Sequence, residues 1–313
     1  MIPTLIDIRE AHNRIRSMIH RTPVMSSQFI NQELGAQIYF KCENFQKAGA
    51  FKFRGATNSC LTLNKEELAR GVGTHSSGNH AGALAKVAQL LGSQAHIVMP
   101  SNSPEVKKRA VAGYGAKIYY CEPNLLAREN TMEKVIDQTG CTFIHPYNRF
   151  EIIAGQGTAA IELLEEHPDL DIIMTPVGGG GLLSGTAIAA KSLFPDIRVL
   201  AGEPLGANDA WQSFRQKKLI PSDNPVTMAD GLLTSLGEMT LDAILEYVDD
   251  ILLCKEESIV AAMRLVWERM KIIIEPSSAV PLASLMENRE GWTGKKVGII
   301  LSGGNVDLGN LPF

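Results

Sequence analysis

Four consecutive glycines, Gly178, Gly179, Gly180 and Gly181, stand in the segment PVGGGGLLSG between an apolar run and a helix-like stretch. Residues without side chains let backbone N–H groups turn toward one point. The N-terminus of a following helix adds the positive end of its dipole, so the segment is built to hold a phosphate. A tight strand-to-helix turn is the plain alternative, although such a turn rarely needs four glycines in a row. The spacing matches neither GxGxxG nor GxxxxGK[ST], so a dinucleotide or nucleoside triphosphate site lacks its pattern.

Lys52 lies between Phe51 and Phe53 in KCENFQKAGAFKFRGA, just after the flexible Ala48-Gly49-Ala50 and at the start of a predicted helix. Aromatic neighbours desolvate an ammonium and favour the neutral amine that a Schiff base requires. A lysine that snorkels to water is the alternative. In THSSGNHAGA, Ser76, Ser77 and Asn79 surround Gly78 before another predicted helix, where hydroxyls, an amide and free backbone donors can seat a carboxylate or simply cap the helix. GIILSGGNVD ends an apolar strand with Ser302, Gly303, Gly304 and Asn305, at the carboxyl edge where open α/β sheets take ligands. GEPLGANDA sets Glu203 and Asp209 around a turn with the Ala207 carbonyl between them, hard oxygen ligands suited to Mg2+ or Ca2+. Two solvated acids flanking a helix start would look the same. His12, His20, His96 and His167 show no ligand spacing.

A phosphate cup, an amine, a carboxylate seat and a hydroxyl at another strand end together ask for a phosphorylated carbonyl cofactor and an amino-acid substrate, and pyridoxal phosphate fits. The chain resembles the fold-type II pyridoxal-phosphate enzymes (tryptophan synthase β-like), and within them the serine/threonine dehydratase and serine racemase group. KCENFQKAGAFKFRGA, THSSGNHAGA, IAGQGT, PVGGGGLLSG, IIEPSSAV and LSGGNVDL occur in that group's order over nearly the whole chain. The resemblance implies that Lys52 carries the cofactor as a Schiff base, that Phe51 and Asn79 contact its ring and O3′ side, and that Gly178 through Gly181 hold its phosphate. Ser302 would hydrogen-bond the pyridine nitrogen, and a neutral hydroxyl there need not keep that nitrogen protonated, which suits elimination. Ser76, Ser77, Asn79 and His80 would receive the substrate carboxylate, and Arg128, in LAREN, resembles a substrate-closing arginine. Glu203, Ala207 and Asp209 would form a divalent-metal site away from the chemistry.

The activity so implied is a dehydratase (ammonia-lyase) converting a small L-β-hydroxy amino acid, serine or threonine, to a 2-keto acid and ammonia, with 3-hydroxyaspartate also in range. Serine racemase is the alternative, because Ser77 matches the second acid/base this group uses. Tyr147 in HPYNRF points back to dehydration, since vertebrate-like racemases tend to carry asparagine there. A non-catalytic amino-acid or nucleotide sensor would explain the glycine cup but would not need Lys52 in its setting.

The elements that must position these residues follow from periodicity. Ile8, Ala11, Ile15 and Ile19 recur at helical spacing, and 37–42 reads as a half-buried strand. From Gly71 onward, strands at 95–99, 117–121 and 142–144 alternate with helices at 81–91, 105–112 and 126–138, the signature of a parallel sheet flanked by helices. A second series has helices at 158–166, 182–193 and 258–271 and strands at 171–176, 198–202 and 296–301. The predicted architecture is two α/β lobes: a large cofactor-binding domain from 1–69 and 148–313, and a small domain, 70–147, inserted in it. The stretch 217–237 reads as a long irregular connection of the kind that serves a site.

Composition agrees with a soluble enzyme. Of 313 residues, 45% are hydrophobic and 20% charged, and 30 Lys and Arg against 34 Asp and Glu leave a net charge of -4 with no long run of one sign. Neither a nucleic-acid nor a membrane footprint is indicated. The cysteines (Cys42, Cys60, Cys121, Cys141, Cys254) include no CxxC pair, which argues against a disulfide framework or zinc site. No segment has signal-peptide character or the ~20 apolar residues of a membrane span. A cytoplasmic homodimer with a small amino-acid substrate, and without a regulatory domain after LSGGN, is the expectation.

Overall fold

The computed structural model describes residues 1–103, 105–288 and 291–313. Local chemistry sets many of the element ends. Helix α1 (Leu5–Ile15) opens on a capping box between Thr4 and Asp7 and buries Ile8, Ala11 and Ile15, while Ile19 is buried beyond its end. Next come β1 (Val24–Met25), α2 (Gln28–Leu34), capped by Ser27 and stopped by left-handed Gly35, and β2 (Gln37–Cys42). Helices α3 (Lys52–Leu61) and α4 (Lys65–Arg70) lead into β3 (Val72–His75), α5 (Asn79–Leu91), β4 (Ala95–Pro100) and α6 (Glu105–Gly113). Then follow β5 (Lys117–Cys121), α7 (Leu125–Thr139), β6 (Thr142–Phe143), α8 (Phe150–Glu166), β7 (Ile172–Pro176), α9 (Gly181–Leu193) and β8 (Arg198–Pro204). The chain ends with α10 (Asp209–Gln216), α11 (Glu238–Tyr247), β9 (Asp250–Cys254), α12 (Glu256–Met270), α13 (Pro276–Glu287) and β10 (Lys296–Leu301).

Six strands form one sheet in the order β1-β2-β10-β7-β8-β9, and β5-β4-β3-β6 form a second. β1 runs antiparallel to β2; all other neighbouring strands are parallel, with Leu301 opposite Cys42 and Ile299 opposite Met174. This is the α/β, parallel-sheet architecture with flanking helices that the sequence predicts. Parallel strands end on one edge, so the segments after β2, β7, β8 and β10 gather there.

Successive residues of β7 serve opposite faces of the large sheet. Ile173 joins a core with Ile153, Leu183 and Ile244, whereas Ile172 and Met174 pack with Phe40, Met263 and Leu282. A third core joins α5 to the small sheet through Leu84 and Ile97. Helix α8 begins at Phe150, eight residues before the predicted start at 158. Two glycines in IAGQGT weaken its local helical signal by about 1 kcal/mol each, but they let other backbones come close. A Cβ on Gly155 would lie 2.6 Å from Gly55 Cα of α3, and one on Gly157 2.7 Å from the Gly185 carbonyl of α9.

Beside that crossing lies a buried ion network. Arg54 of α3 donates from Nε and Nη2 to Glu43 at 2.7 and 2.8 Å and from Nη1 and Nη2 to Glu162 of α8 at 2.8 Å each. Lys41 of β2 donates to Glu162 at 2.7 Å and to the Thr22 carbonyl at 2.6 Å. The network fastens α3, whose first residue is Lys52, to both the sheet and α8. The connection 217–237 is irregular apart from a single turn, Asp230–Leu232.

Candidate active site

Lys52 is held at the end of β10 because the Phe51 N–H donates to the Ser302 carbonyl at 2.9 Å and Ala50 pairs with Gly303 across an isolated bridge. Its Nζ donates to the Pro146 carbonyl at 2.8 Å and lies 5.1 Å from the centre of the Phe51 ring. Burial pulls the amine down to about 8, the Glu275 carboxyl offsetting part of that shift. Phe53 is buried in the small-sheet core, so the amine is flanked by one of its two aromatic neighbours rather than both. Burial also keeps two imidazoles near Lys52 neutral, His80 near 3 and His145 near 4. His80 donates from Nε2 to the Ile144 carbonyl at 3.1 Å, which leaves Nδ1 an acceptor, buried and unpartnered. His145 Nδ1 accepts the N–H groups of Asn148 and Tyr147 at 2.9 and 3.2 Å.

The glycine loop lies between β7 and α9. Gly180 is the N-cap of α9 with φ 86°, and no side chain caps that helix, so its first-turn N–H groups have no intrahelical partner. The loop has no room for side chains: a Cβ on Gly178 would lie 2.9 Å from Leu232 Cα, and one on Gly179 would run into the Tyr147 ring. In the THSSGNHAGA segment the N-cap of α5 is Gly78, again with no side-chain cap. The serines are therefore not spent on capping; Ser76 Oγ accepts the Gly78 N–H at 3.3 Å.

Asn79 donates from Nδ2 to Glu275 Oε1 at 2.7 Å and accepts from Asn305 Nδ2 at 2.9 Å, while the Asn305 N–H donates to Glu275 Oε2 at 3.1 Å. Burial pushes the Glu275 carboxyl up to about 8, helped by the nearby Asp230. Ser302 is buried with its hydroxyl 3.1 Å from that of Ser278, which also accepts the Gly303 N–H and donates to the Gly303 carbonyl, both at 2.7 Å. A cavity of about 420 Å³ has Lys52, Ser77, Asn79, Gly179, Arg128 and Ser302 in its wall. Ser76, His80 and Phe51 line the same cavity. The Arg128 Nε, on α7, is buried without a hydrogen-bond partner.

One cavity thus holds a desolvated amine, a side-chain-free cup at a helix N-terminus, a second uncapped helix N-terminus and a buried hydroxyl. That donor set fits a phosphorylated aldehyde together with an amino-acid carboxylate. The model of the family described as pyridoxal-phosphate dependent enzyme matches residues 15–303. The chain belongs to this family. This pyridoxal-phosphate-dependent enzyme is 51% identical over 313 residues to the serine racemase of Dictyostelium discoideum, covering 98% of this chain and 96% of the relative. It is 48% identical over 312 residues to the beta-hydroxyaspartate dehydratase of Paracoccus denitrificans (strain Pd 1222), covering 100% and 99%. Its structure aligns with that of the T.th. threonine deaminase with a TM-score of 0.93 at 39% identity, covering 98% of this chain and 99% of the other. No helix among the described residues is long and apolar enough to cross a membrane.

Glu203, Ala207 and Asp209 of the enzyme are not in the cavity wall. Glu203, in β8, accepts the N–H groups of Ala210 and Trp211 at 2.9 and 2.8 Å, so it caps α10. The Asp209 carboxyl is buried, with the Ser222 hydroxyl as its side-chain neighbour. Burial pushes Glu203 up to about 9 and Asp209 to about 6. Among the described residues no cluster of three or more His, Cys, Asp or Glu could hold a metal, so a cation here would also draw on carbonyl and hydroxyl oxygens.

Sequence reasoning gave no role to Glu275, Ser278, His145 or Thr234. Glu275 and Ser278 stand inside IIEPSSAV and His145 inside HPYNRF, yet nothing in their type or spacing says that they face this cavity or its wall. Thr234, whose hydroxyl lies 3.0 Å from that of Tyr147, comes from the irregular connection and carries no local signal.

Proposed function

We propose that the enzyme is an ammonia-lyase that dehydrates a small L-β-hydroxy amino acid, serine, threonine or 3-hydroxyaspartate, to a 2-keto acid and ammonia. The observation that carries this reading is Lys52: a buried amine brought down to about 8 in the same cavity as the glycine cup. Bound there, pyridoxal phosphate supplies an electron-withdrawing ring that stabilises negative charge at the substrate α-carbon. The backbone of Gly178 through Gly181 holds the phosphate, Phe51 and Asn79 bound the ring, and the Ser302 hydroxyl meets the pyridine nitrogen. Ser76, Ser77, Asn79 and His80 receive the substrate carboxylate at the uncapped start of α5, and Arg128 closes over the substrate. The Lys52 amine would hold the cofactor's carbonyl carbon and, as the free base, would take the substrate α-proton.

Serine racemase is the second reading, favoured by the Ser77 hydroxyl in the cavity wall. An assay of the purified enzyme that follows keto acid and D-serine together over a panel of L-amino acids separates the two. Keto acid as the main product supports the lyase, and D-serine as the main product overturns it.

We also propose that Glu203, Ala207 and Asp209 hold a structural Mg2+ or Ca2+, supported by the buried Asp209 carboxyl beside that of Glu203. Native-state metal binding stabilises by mass action. Chelation should therefore lower the melting temperature, added metal should restore it, and Glu203→Ala should abolish that response. An unchanged response in Glu203→Ala refutes the assignment.

A further inference from the structure

The hydroxyls of Ser278 and Ser302 lie 3.1 Å apart, and the other contacts of Ser278 fix which of the two donates. A serine hydroxyl has one hydrogen and two lone pairs. Ser278, in the first turn of α13, is fully buried, and its Oγ is 2.7 Å from the Gly303 carbonyl oxygen. Two oxygens that close must share a hydrogen, and a carbonyl has none, so the Ser278 hydrogen is spent on Gly303. The Gly303 N–H, also at 2.7 Å, takes one lone pair of the same Oγ. Gly303 cannot easily turn away from either bond, because its carbonyl also accepts the Glu275 N–H at 3.0 Å and the preceding carbonyl, of Ser302, accepts the Phe51 N–H at 2.9 Å. One lone pair of Ser278 is left, and the Ser302 hydroxyl can meet it only by donating.

We propose that Ser278 is a positioning residue that turns the Ser302 hydroxyl so that it accepts, rather than donates, the hydrogen bond with the cofactor's pyridine nitrogen, and thereby favours the protonated ring. The inference rests on the reading above that places this nitrogen at Ser302, and it assigns the direction of the bond. With its hydrogen directed at Ser278, Ser302 presents lone pairs to the cavity whose wall it joins. A pyridinium N–H donates to such an oxygen, whereas an unprotonated nitrogen would face it lone pair to lone pair. To donate to the ring instead, Ser302 must give up its bond to Ser278. At 3.1 Å that bond is long for two hydroxyls, so the bias it imposes is that of one ordinary net hydrogen bond and not an absolute choice. A single hydroxyl imposes no protonation state on the ring; a pair whose polarity is fixed from behind does. The protonated ring draws more negative charge from the substrate α-carbon.

The direction of the bond can be read at the ring nitrogen itself, without measuring turnover. Protein loaded with pyridoxal phosphate isotopically labelled at that nitrogen gives an NMR shift that separates the protonated from the unprotonated ring at one fixed, near-neutral pH. The parent should hold a measurable protonated fraction, and in Ser278→Ala the ratio of protonated to unprotonated ring should fall about five-fold, the weight of one net hydrogen bond. Ser302→Ala removes the acceptor and should lower the ratio as well. Adding Ser278→Ala to Ser302→Ala should then change nothing further, since Ser278 acts only through Ser302. Lys52 and Glu275, which line the same cavity, are kept in every variant. A parent ring that is wholly unprotonated, or an equal ratio in parent and Ser278→Ala, would overturn the proposal while leaving the nitrogen at Ser302. A further fall in the double variant would overturn the route through Ser302. A nitrogen shift that Ser302→Ala leaves unmoved would overturn the placement of the ring nitrogen, and the inference with it.

Discussion

The depressed amine of Lys52 makes a thermodynamic prediction that does not depend on the reaction. In the unfolded chain this lysine titrates at its ordinary 10.5, whereas in the folded, cofactor-free protein it titrates at about 8. Between those two values the unfolded state binds the proton and the native state does not, so stability rises with pH across that window. Integrated from pH 7 to pH 10, this one group should add about 2.5 kcal/mol of stability. Lys52→Met removes the ionisable group while keeping a long apolar stem. Urea unfolding of the cofactor-free parent and variant at both pH values gives the test, because any change in packing contributes equally at pH 7 and pH 10 and cancels in the difference. The variant should lead the parent by more at pH 7 than at pH 10, the gap narrowing by about 2.5 kcal/mol. A gap independent of pH would show that the ammonium is not desolvated, and the account of why Lys52 supplies a reactive amine would fail with it.

Gly179→Ala should weaken pyridoxal-phosphate binding by about ten-fold or more, equivalent to about 1.4 kcal/mol, because its Cβ collides with the Tyr147 ring; a fluorescence titration with unchanged affinity would count against the cup. Ser77→Ala should lose L-to-D conversion of serine and elimination from D-serine while retaining much of its L-serine elimination, and racemisation at the parental rate would remove the case for Ser77 as an acid/base. Glu162→Gln leaves Arg54 and Lys41 buried with one carboxylate fewer and should cost about 3–5 kcal/mol in urea unfolding. A loss below about 1 kcal/mol would mean that the network is not a buried-charge site at all.

Much of the scaffold was legible because its elements carry their own signal. The strands at 37–42, 117–121 and 296–301 coincide with β2, β5 and β10, whose apolar runs are bounded by polar or glycine-containing segments. Helix α13 escaped notice because Ser277 through Leu285 are all buried, so there is no polar face to create a period, and Pro281 lies within it. The first half of α8 was missed for the opposite reason: its glycines weaken the local preference for helix, and only the close approach of α3 and α9 makes them favourable.

The chemistry divides along the same line. Residue types and spacing by themselves determined a phosphate cup of four glycines, a lysine before a helix, a serine-rich turn and a hydroxyl after a strand, since each is a local pattern whose backbone consequences follow from the residues themselves. Only the tertiary structure decided that parallel strands carry these segments to one edge, and that Phe51 rather than Phe53 faces the amine. The same holds for Glu275, which reaches Asn79 across 196 positions of sequence, and for the Tyr147–Thr234 pair that closes on the glycine loop. Desolvation and hydrogen-bond partnership depend on which distant backbones pack together, and no local pattern encodes that.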